Sequence, residues 1–460
     1  MDMKILFIIY QLDYADHISI AYLSAIAKSL GHKTYFGLLS EHDLITHVNM
    51  VQPDVVAYSV NVQSFKEIVK QHKMARTVKS FVSIMGGPEV TVSPETFDSS
   101  DIDAYCVGEG EYAFRDFLIR VSKKESFDNI SNLITKAGVT PVRNIIANLD
   151  ELPKADRDLI LSNSYLKDIP KKTFYTTRGC PFHCAYCCNN HYHKLYKGKG
   201  KFVRRFSAER IIQEMEYVKR HYRTDFIKIG DDLFAMKADD WLKEFVDKYK
   251  TRVNIPFNCF LRFDRISDDL LCLLKKAGCF SVHLSVDSTS EYIREIILQR
   301  SMRKVDIVDT LKKIESFGIH TWVNFMLNIP ESTIQNDLDA IVVCKKAKVT
   351  YPSFGTTDPM KGTELYNYCV KKKYIDPVTH AGNMLGLFGR STLNCFTKKE
   401  KNITYNIHLL GSIIPKLPWP FWKLAVLMIQ IIPPNGLFQK LHDWYHEYSI
   451  THTIFKLTKD

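Results

Sequence analysis

The sequence predicts an α/β chain in three parts: an open, doubly wound, flavodoxin-like sheet over residues 1–148, a second run of strand–helix units over 173–360, and a mostly helical region over 361–460, with a linker at 149–172. Three observations predict it. Short apolar runs rich in β-branched and aromatic residues alternate with helix-periodic stretches through the first 360 residues, the pattern of a parallel sheet or barrel. Glycines stand just past several of the strand-like runs. Beyond about Thr397 the alternation stops, and Trp, Pro, Ile and Leu take over.

In the first part, strands are expected at 4–10, 33–38, 55–59, 81–85 and 104–107, with helices such as 19–30 and 64–78 between them. The apolar run Ile5 to Tyr10 ends at Gln11 and Asp13, which suits a buried strand better than a secretion signal. Ligands on such sheets bind at the carboxyl ends of strands. There the chain carries Ser59, Gly86-Gly87-Pro88-Glu89 and Gly108-Glu109-Gly110-Glu111, and glycine lets a backbone approach a large flat ligand. No Gly-x-Gly-x-x-Gly is present, so a nicotinamide or flavin dinucleotide is not supported. A plain scaffold whose glycines serve turns stays open. A fragment of about residues 1–150 is expected to fold alone, since its strand–helix pattern is complete.

In the second part, strands are expected at 173–177, 226–230, 256–261, 281–286, 321–327 and 351–357. Helices at 207–221, 238–250, 268–277, 304–317 and 333–346 separate them. Ser207 followed by Glu209 opens one helix, and Gly278 and Gly318 close two others. In barrels of such units the working residues sit at strand carboxyl ends.

The stretch TTRGCPFHCAYCCNN, residues 176–190, concentrates four of the eleven cysteines: Cys180, Cys184, Cys187 and Cys188. An odd cysteine count in a long chain without a visible signal peptide points to a reducing cytoplasm, where clustered thiols bind metal or catalyse. Structural zinc wants four ligands, commonly as two close pairs, and no second Cys-x-x-Cys exists here; His183, His191 or His193 would have to complete the set. Three thiolates at C-x3-C-x2-C spacing fit an iron–sulfur cubane with one open iron better. Cys188 directly follows Cys187 and reads as a bystander.

Cys180-Pro-Phe-His-Cys184-Ala-Tyr186-Cys187, preceded by Arg178-Gly179, resembles the signature of radical S-adenosylmethionine (SAM) enzymes. The resemblance implies a partial (β/α)6 barrel, with Cys180, Cys184 and Cys187 holding a 4Fe-4S cluster and Tyr186 beside bound SAM. It implies further SAM contacts at Gly230, Asp231 and Asp232, where a carboxylate meets the amino group, and at Arg262, Ser285 and Asp287. For Asp232 a helix N-cap is the alternative. Asn328 and Ser332 depart from the family's glycine and glutamate after the fifth strand.

The order of a small α/β domain ending in GGPEV and VGEGEYAF, then NLDELP, then the cysteine motif, is similar to the cobalamin-binding class of these enzymes, and the likeness runs to Gly362-Thr363-Glu364-Leu365-Tyr366. It implies cobalamin on the first domain, at Ser59, Gly86, Gly87, Glu89, Gly108, Glu109 and Gly110. Asp16-His17 lacks the spacing of an Asp-x-His-x-x-Gly cobalt-ligand motif, so no axial histidine is expected. The implied chemistry is methyl transfer to an unactivated carbon of a small or lipid-like biosynthetic substrate, driven by a small electron donor such as flavodoxin or ferredoxin. Cyclisation or rearrangement without net methyl transfer, loss of cobalamin binding, and a zinc-stabilised binding protein remain as rivals.

The net charge of +11 gathers in local patches, such as residues 194–205, without a nucleic-acid module, so no nucleic-acid partner is expected. Residues 419–432 are strongly apolar but interrupted by Lys423 and Gln430 and bounded by prolines, too short to span a bilayer. Either the barrel covers this segment, or it lies at a membrane surface with the enzyme peripherally attached.

Overall fold

The computed structural model describes residues 2–12, 17–94, 102–302, 305–380 and 389–457. Asp13 and Asp16 lie outside these described residues. The chain forms two compact units.

The first unit comprises Met1–Ile169, His191–Phe206 and Tyr217–Arg223. Its sheet contains β1 (Lys4–Ile9), β2 (Lys33–Leu38), β3 (Val55–Ser59), β4 (Val82–Gly86), β5 (Ala104–Cys106), β6 (Leu133–Thr135) and β7 (Gly138–Val139). The strands lie in the order β2-β1-β3-β4-β5-β6-β7, the first five parallel and the last two an antiparallel hairpin. The helices α1 (Ile18–Ser29), α2 (Leu44–Val51), α3 (Phe65–Arg76), α4 (Pro88–Val92), α5 (Glu111–Ser122) and α6 (Arg157–Leu161) accompany it. Five of the six β1 residues are buried, because helices covering both faces leave an inner parallel strand no polar side. This is the doubly wound order, and its direction reverses between β1 and β3.

The unit also takes in residues beyond the expected boundary at 148. The Tyr196 hydroxyl accepts from Glu109 N at 2.6 Å, and Arg204 grips the Glu109 carboxylate at 2.6 and 3.0 Å. A half-buried carboxylate needs that cation. The basic run after the cysteines therefore completes the first unit, and a fragment ending near residue 150 would lack it.

The second unit comprises Pro170–Asn190, Ser207–Glu216 and Thr224–Asp460. The two-residue strand β9 (Thr177–Arg178) falls among the residues of this unit and β10 (Arg204–Arg205) among those of the first, while the helices α7 (Cys188–Leu195) and α8 (Ala208–His221) each have residues assigned to both. Its sheet has six parallel strands in chain order: β8 (Lys171–Phe174), β11 (Phe226–Ile229), β12 (Phe257–Phe260), β13 (Cys279–Asp287), β14 (His320–Leu327) and β15 (Tyr351–Thr356). The sheet ends at β8 and β15 without closing, a partial barrel. The linking helices are α9 (Asp240–Lys248), α10 (Asp268–Ala277), α11 (Ile307–Ser316) and α12 (Ile334–Ala347). Asp239, Ser267, Asp306 and Thr333 cap their first turns. Beyond the barrel come α13 (Glu364–Lys371), α14 (Lys398–Leu410), α15 (Phe421–Ile431) and α16 (Gly436–Tyr448). No helix among the described residues is long and apolar enough to cross a membrane.

Candidate active site

The backbone shapes the cysteine loop between β9 and α7. Gly179 takes φ +83°, a left-handed conformation that a side chain resists. Cys187 N donates to Cys184 O at 3.1 Å, which closes a tight turn. Ala185 is pinned from two directions: its N–H donates to Leu298 O and its carbonyl accepts from Leu365 N, both at 2.8 Å. Leu365 belongs to the first turn of α13, capped by Thr363 after Gly362, so the segment following the barrel clamps the loop. Cys184 is buried; Cys180, Cys187 and Cys188 are half-buried.

Cationic N–H groups approach the Cys184 sulfur. Arg262 Nη1 lies 3.9 Å and Arg300 Nη1 4.0 Å from it. Arg262 stacks on the Phe182 ring at 3.7 Å and is oriented by Asp264 at 2.6 Å. Asn189 Nδ2 lies 3.7 Å from Cys187 Sγ. A hydrogen bond from the Cys188 thiol, joined by the Asn189 N–H groups and opposed by burial, brings the Cys187 thiol down to about 7. The same bond, with burial, pushes Cys188 well up. Burial pushes Cys180 up to about 11. Cys188 thus serves its neighbour as a donor. Among the described residues no three His, Cys, Asp or Glu side chains stand close enough to hold a single ion, as tetrahedral zinc requires. A cubane instead takes each thiolate on a different iron and keeps them apart, and N–H donors directed at its thiolates stabilise it. The donor set fits the cluster.

The strand ends around this loop divide into two kinds. Asp231 is buried, and its carboxylate accepts from Thr176 N (2.6 Å), Thr177 N (3.0 Å) and the Thr176 hydroxyl, tying the end of β11 to the segment after β8. The structure thus corrects the assignment of Asp231 as a ligand contact: its oxygens serve the fold. Gly230 is likewise a packing residue, since a Cβ there would fall 2.8 Å from the Tyr175 ring. Asp232 is exposed, caps no helix and accepts from Asn189 Nδ2 at 3.0 Å, so it is the carboxylate of the trio left for a ligand.

Asp287 ends β13 with φ +66° and accepts from the Tyr186 hydroxyl at 2.7 Å. Arg300 binds this pair, with Nε 2.9 Å from Asp287 and Nη1 2.8 Å from the Tyr186 oxygen, while its Nη2 donates to Ser285 O at 2.7 Å. Burial holds the Tyr186 phenol far above its ordinary pKa, so it stays a donor. Sequence reasoning missed Arg300 and Asn189. Arg300 sits in an aperiodic loop and Asn189 beside the motif, with no spacing signal to single them out. Asn328 takes φ +52°, so the residue that departs from the family's glycine adopts a glycine-like conformation that asparagine tolerates best among side chains.

A cavity of about 660 Å³ opens beside Tyr186, Ser285 and Asp287. Trp322, Phe325, Tyr351 and Phe354 give it apolar walls, and α14 and α16 contribute His408, His442 and His446. His408 Nδ1 meets Phe354 O at 2.5 Å, His442 Nδ1 meets Leu409 O at 3.1 Å, and His446 Nδ1 meets the Tyr351 hydroxyl at 2.5 Å. Backbone carbonyls only accept, so His408 and His442 carry their proton on Nδ1 and are left with Nε2 as an acceptor when neutral. Burial lowers the pKa of His408 and His446, favouring the neutral form.

Residues 174–341 match the family model of the radical SAM superfamily, and residues 11–118 match that of the B12 binding domain. The chain belongs to the cobalamin-binding radical SAM enzymes. It is 26% identical to an uncharacterized methyltransferase of Pyrococcus horikoshii, over 78% of this chain and 82% of that one. It is 22% identical to the cytidylyl-2-hydroxyethylphosphonate methyltransferase of Streptomyces wedmorensis, over 74% and 71% of the two chains. Its fold matches that of the radical SAM methyltransferase TsrM from Kitasatospora setae, solved with cobalamin and a 4Fe-4S cluster, at a TM-score of 0.64 and 11% identity, covering 98% of this chain and 100% of that one.

A cobalamin-binding radical SAM enzyme works with a 4Fe-4S cluster, SAM and cobalamin. In the first unit of this one, the residues expected at the cobalamin have mixed fates. A Cβ on Gly87 (φ +112°) would fall 2.4 Å from Val60 O, and one on Gly108 would fall 2.2 Å from the Tyr196 hydroxyl. These two glycines are required by the protein's own packing. Glu109 is engaged by Arg204, as described above, and is a structural anchor rather than a cofactor contact. Gly86 and Gly110 make only ordinary contacts, with Cys106. Ser59 ends β3 beside the switch point and Glu89 lies in the first turn of α4, both half-buried. His191 Nε2 is engaged by Thr91 O at 3.0 Å.

Proposed function

We propose that this enzyme transfers a methyl group to an unactivated carbon of an uncharged, largely apolar substrate bound in the cavity beside Tyr186 and Asp287. One observation carries the reading: Tyr186 and Asp287, which Arg300 ties to the Cys184 loop, are also part of the wall of that cavity. A substrate there would lie next to the SAM position. In this reading Cys180, Cys184 and Cys187 hold the cluster, and Tyr186, Asp232, Arg262, Ser285 and Asp287 surround SAM. When bound, the cluster with SAM supplies a hydrogen-abstracting radical and cobalamin supplies the methyl group.

The chain's own part is positioning and exclusion. Arg262 and Arg300 donate to Cys184. Arg300 neutralises Asp287 and fixes the Tyr186 hydroxyl. The aromatic wall keeps water from the reacting carbon. At the far side, the Nε2 of His408, whose Nδ1–H is taken by Phe354 O, accepts from a hydroxyl or N–H of the substrate. Electrons come from a small redox protein such as a flavodoxin or ferredoxin, in a reducing cytoplasm that keeps the eleven free cysteines reduced.

The test is anaerobic incubation of the reconstituted holoenzyme with SAM carrying a trideuteromethyl group and fractionated cell extracts. The reading expects 5′-deoxyadenosine together with a product that has gained the labelled methyl. Deoxyadenosine formed while a substrate is converted without label would establish cyclisation or rearrangement instead.

A further inference from the structure

The helices α15 and α16 leave a large apolar surface uncovered. Of the twenty large apolar side chains exposed among the described residues, ten lie between Trp419 and Tyr448. On α15 only Ile429 is buried; Phe421, Leu424, Leu427 and Ile431 stand outward, the last 71% exposed. On α16 Leu437, Leu441, Trp444 and Tyr448 form a second stripe at helical spacing, Trp444 65% exposed. Both helices pack on α14, and Asn406 of α14 fastens the end of α15 by donating to Ile429 O and Ile432 O at 2.8 and 2.7 Å. Helix α14 therefore holds the segment's inner side, and nothing covers the outer one among the described residues.

Basic residues outnumber acidic ones around this surface. From Lys401 to His442 the sequence has no Asp or Glu and four lysines, of which Lys423 and Lys440 are exposed beside the apolar stripes; the acidic residues of α16 are Asp443, on the side that lines the cavity, and the exposed Glu447. Trp419 and Trp444 add indoles, whose apolar body and polar N–H suit a lipid–water boundary. Helices of eleven and thirteen residues are too short to span a bilayer and long enough to lie in its interface.

We propose that the outer face of α15 and α16 docks on an anionic lipid surface. Apolar insertion supplies the adhesion, and the lysines supply attraction to anionic headgroups. The helix α16 has a second role: its Leu437–Tyr448 stripe faces outward while His442 and His446, on another side, line the cavity. Resting on the reading of that cavity as the substrate chamber, the docked enzyme meets a substrate that dissolves in the bilayer.

Vesicle flotation of the reconstituted holoenzyme tests the docking, with vesicles of phosphatidylcholine alone and with added phosphatidylglycerol. The full chain is expected to float with the anionic vesicles, less with neutral ones, and less at high salt. Leu427→Glu with Leu437→Glu, both exposed, is expected to lower the bound fraction about tenfold or more, since each leucine loses more than one decade of transfer free energy. Unchanged cluster and cobalamin absorption would show that the double variant is folded. A wild-type protein that stays in the soluble fraction with both kinds of vesicle overturns the proposal. So does a dimer in solution that the double variant dissolves without any flotation, which would make the face a contact between two copies. Flotation reads docking alone and label transfer reads methylation alone, so either can fail without the other.

Discussion

Arg300 Nε lies 2.9 Å from Asp287 Oδ2, with both side chains nine-tenths or more buried. Such a pair makes each member depend on the other, because removing one leaves a buried uncompensated charge. Arg300→Met is expected to destabilise the second unit by about 3 kcal/mol and to weaken SAM binding. Adding Asp287→Asn should return much of the stability but not the binding. Thermal unfolding and equilibrium dialysis of SAM over the four combinations check this; equal and additive losses would mean the pair is not coupled.

The cysteines are expected to sort by role. Cys180→Ala, Cys184→Ala and Cys187→Ala should each lose most of the iron after anaerobic reconstitution and all deoxyadenosine formation. Cys188→Ala should keep its iron and cleave SAM, although it loses the donor to Cys187. Iron and sulfide analysis decides, and an iron-free Cys188→Ala protein would show that the fourth thiol is a ligand.

The Glu109–Arg204 pair joins two distant stretches of sequence in the first unit. Arg204→Met is expected to lower the stability of that unit by about 2 kcal/mol, through the carboxylate left behind. A fragment ending at Asp150 should be less stable than one that retains residues 191–206, and denaturant titration of both compares them. Equal midpoints would mean that the ion pair contributes nothing.

Asp337 provides a pH signature. It is buried with Asn328 N as a donor at 3.2 Å, and burial raises its pKa from 3.8 to about 8. The folded state holds the proton more tightly than the unfolded state. Its contribution to stability is therefore complete below about pH 4 and is lost as pH rises towards 8. Asp337→Asn removes this slope and should be the more stable protein at pH 8, by on the order of a few kcal/mol. Melting temperatures from pH 5 to pH 8 measure the difference, and parallel curves for the two proteins would refute it.

The strand–helix order, the cysteine triad and its family were legible in the sequence because each is local. Strand and helix periodicity needs only neighbours, and C-x3-C-x2-C places three thiolates on one turn whatever surrounds it. β2, β3 and α10 fall on their expected residues for the same reason. Tyr186 lies within the motif itself, and Arg262 and Asp287 follow or end barrel strands, whose carboxyl ends gather on one face by topology alone.

Tertiary structure alone decided which polar groups are left for a ligand. Asp231 and Asp232 are adjacent and chemically alike, yet Thr176 and Thr177 claim one and leave the other exposed. Gly87 and Gly108 looked like room for a cofactor, but Val60 and Tyr196 already occupy that room. Arg300, His408 and His446 carried no pattern, because they reach the site from loops and helices far along the chain. The apolar tail was visible as a composition, but only packing could show that α14 covers one side of it and leaves the other bare. A hydrogen bond or a van der Waals contact between distant residues depends on where the backbone carries them, and local sequence does not record that position.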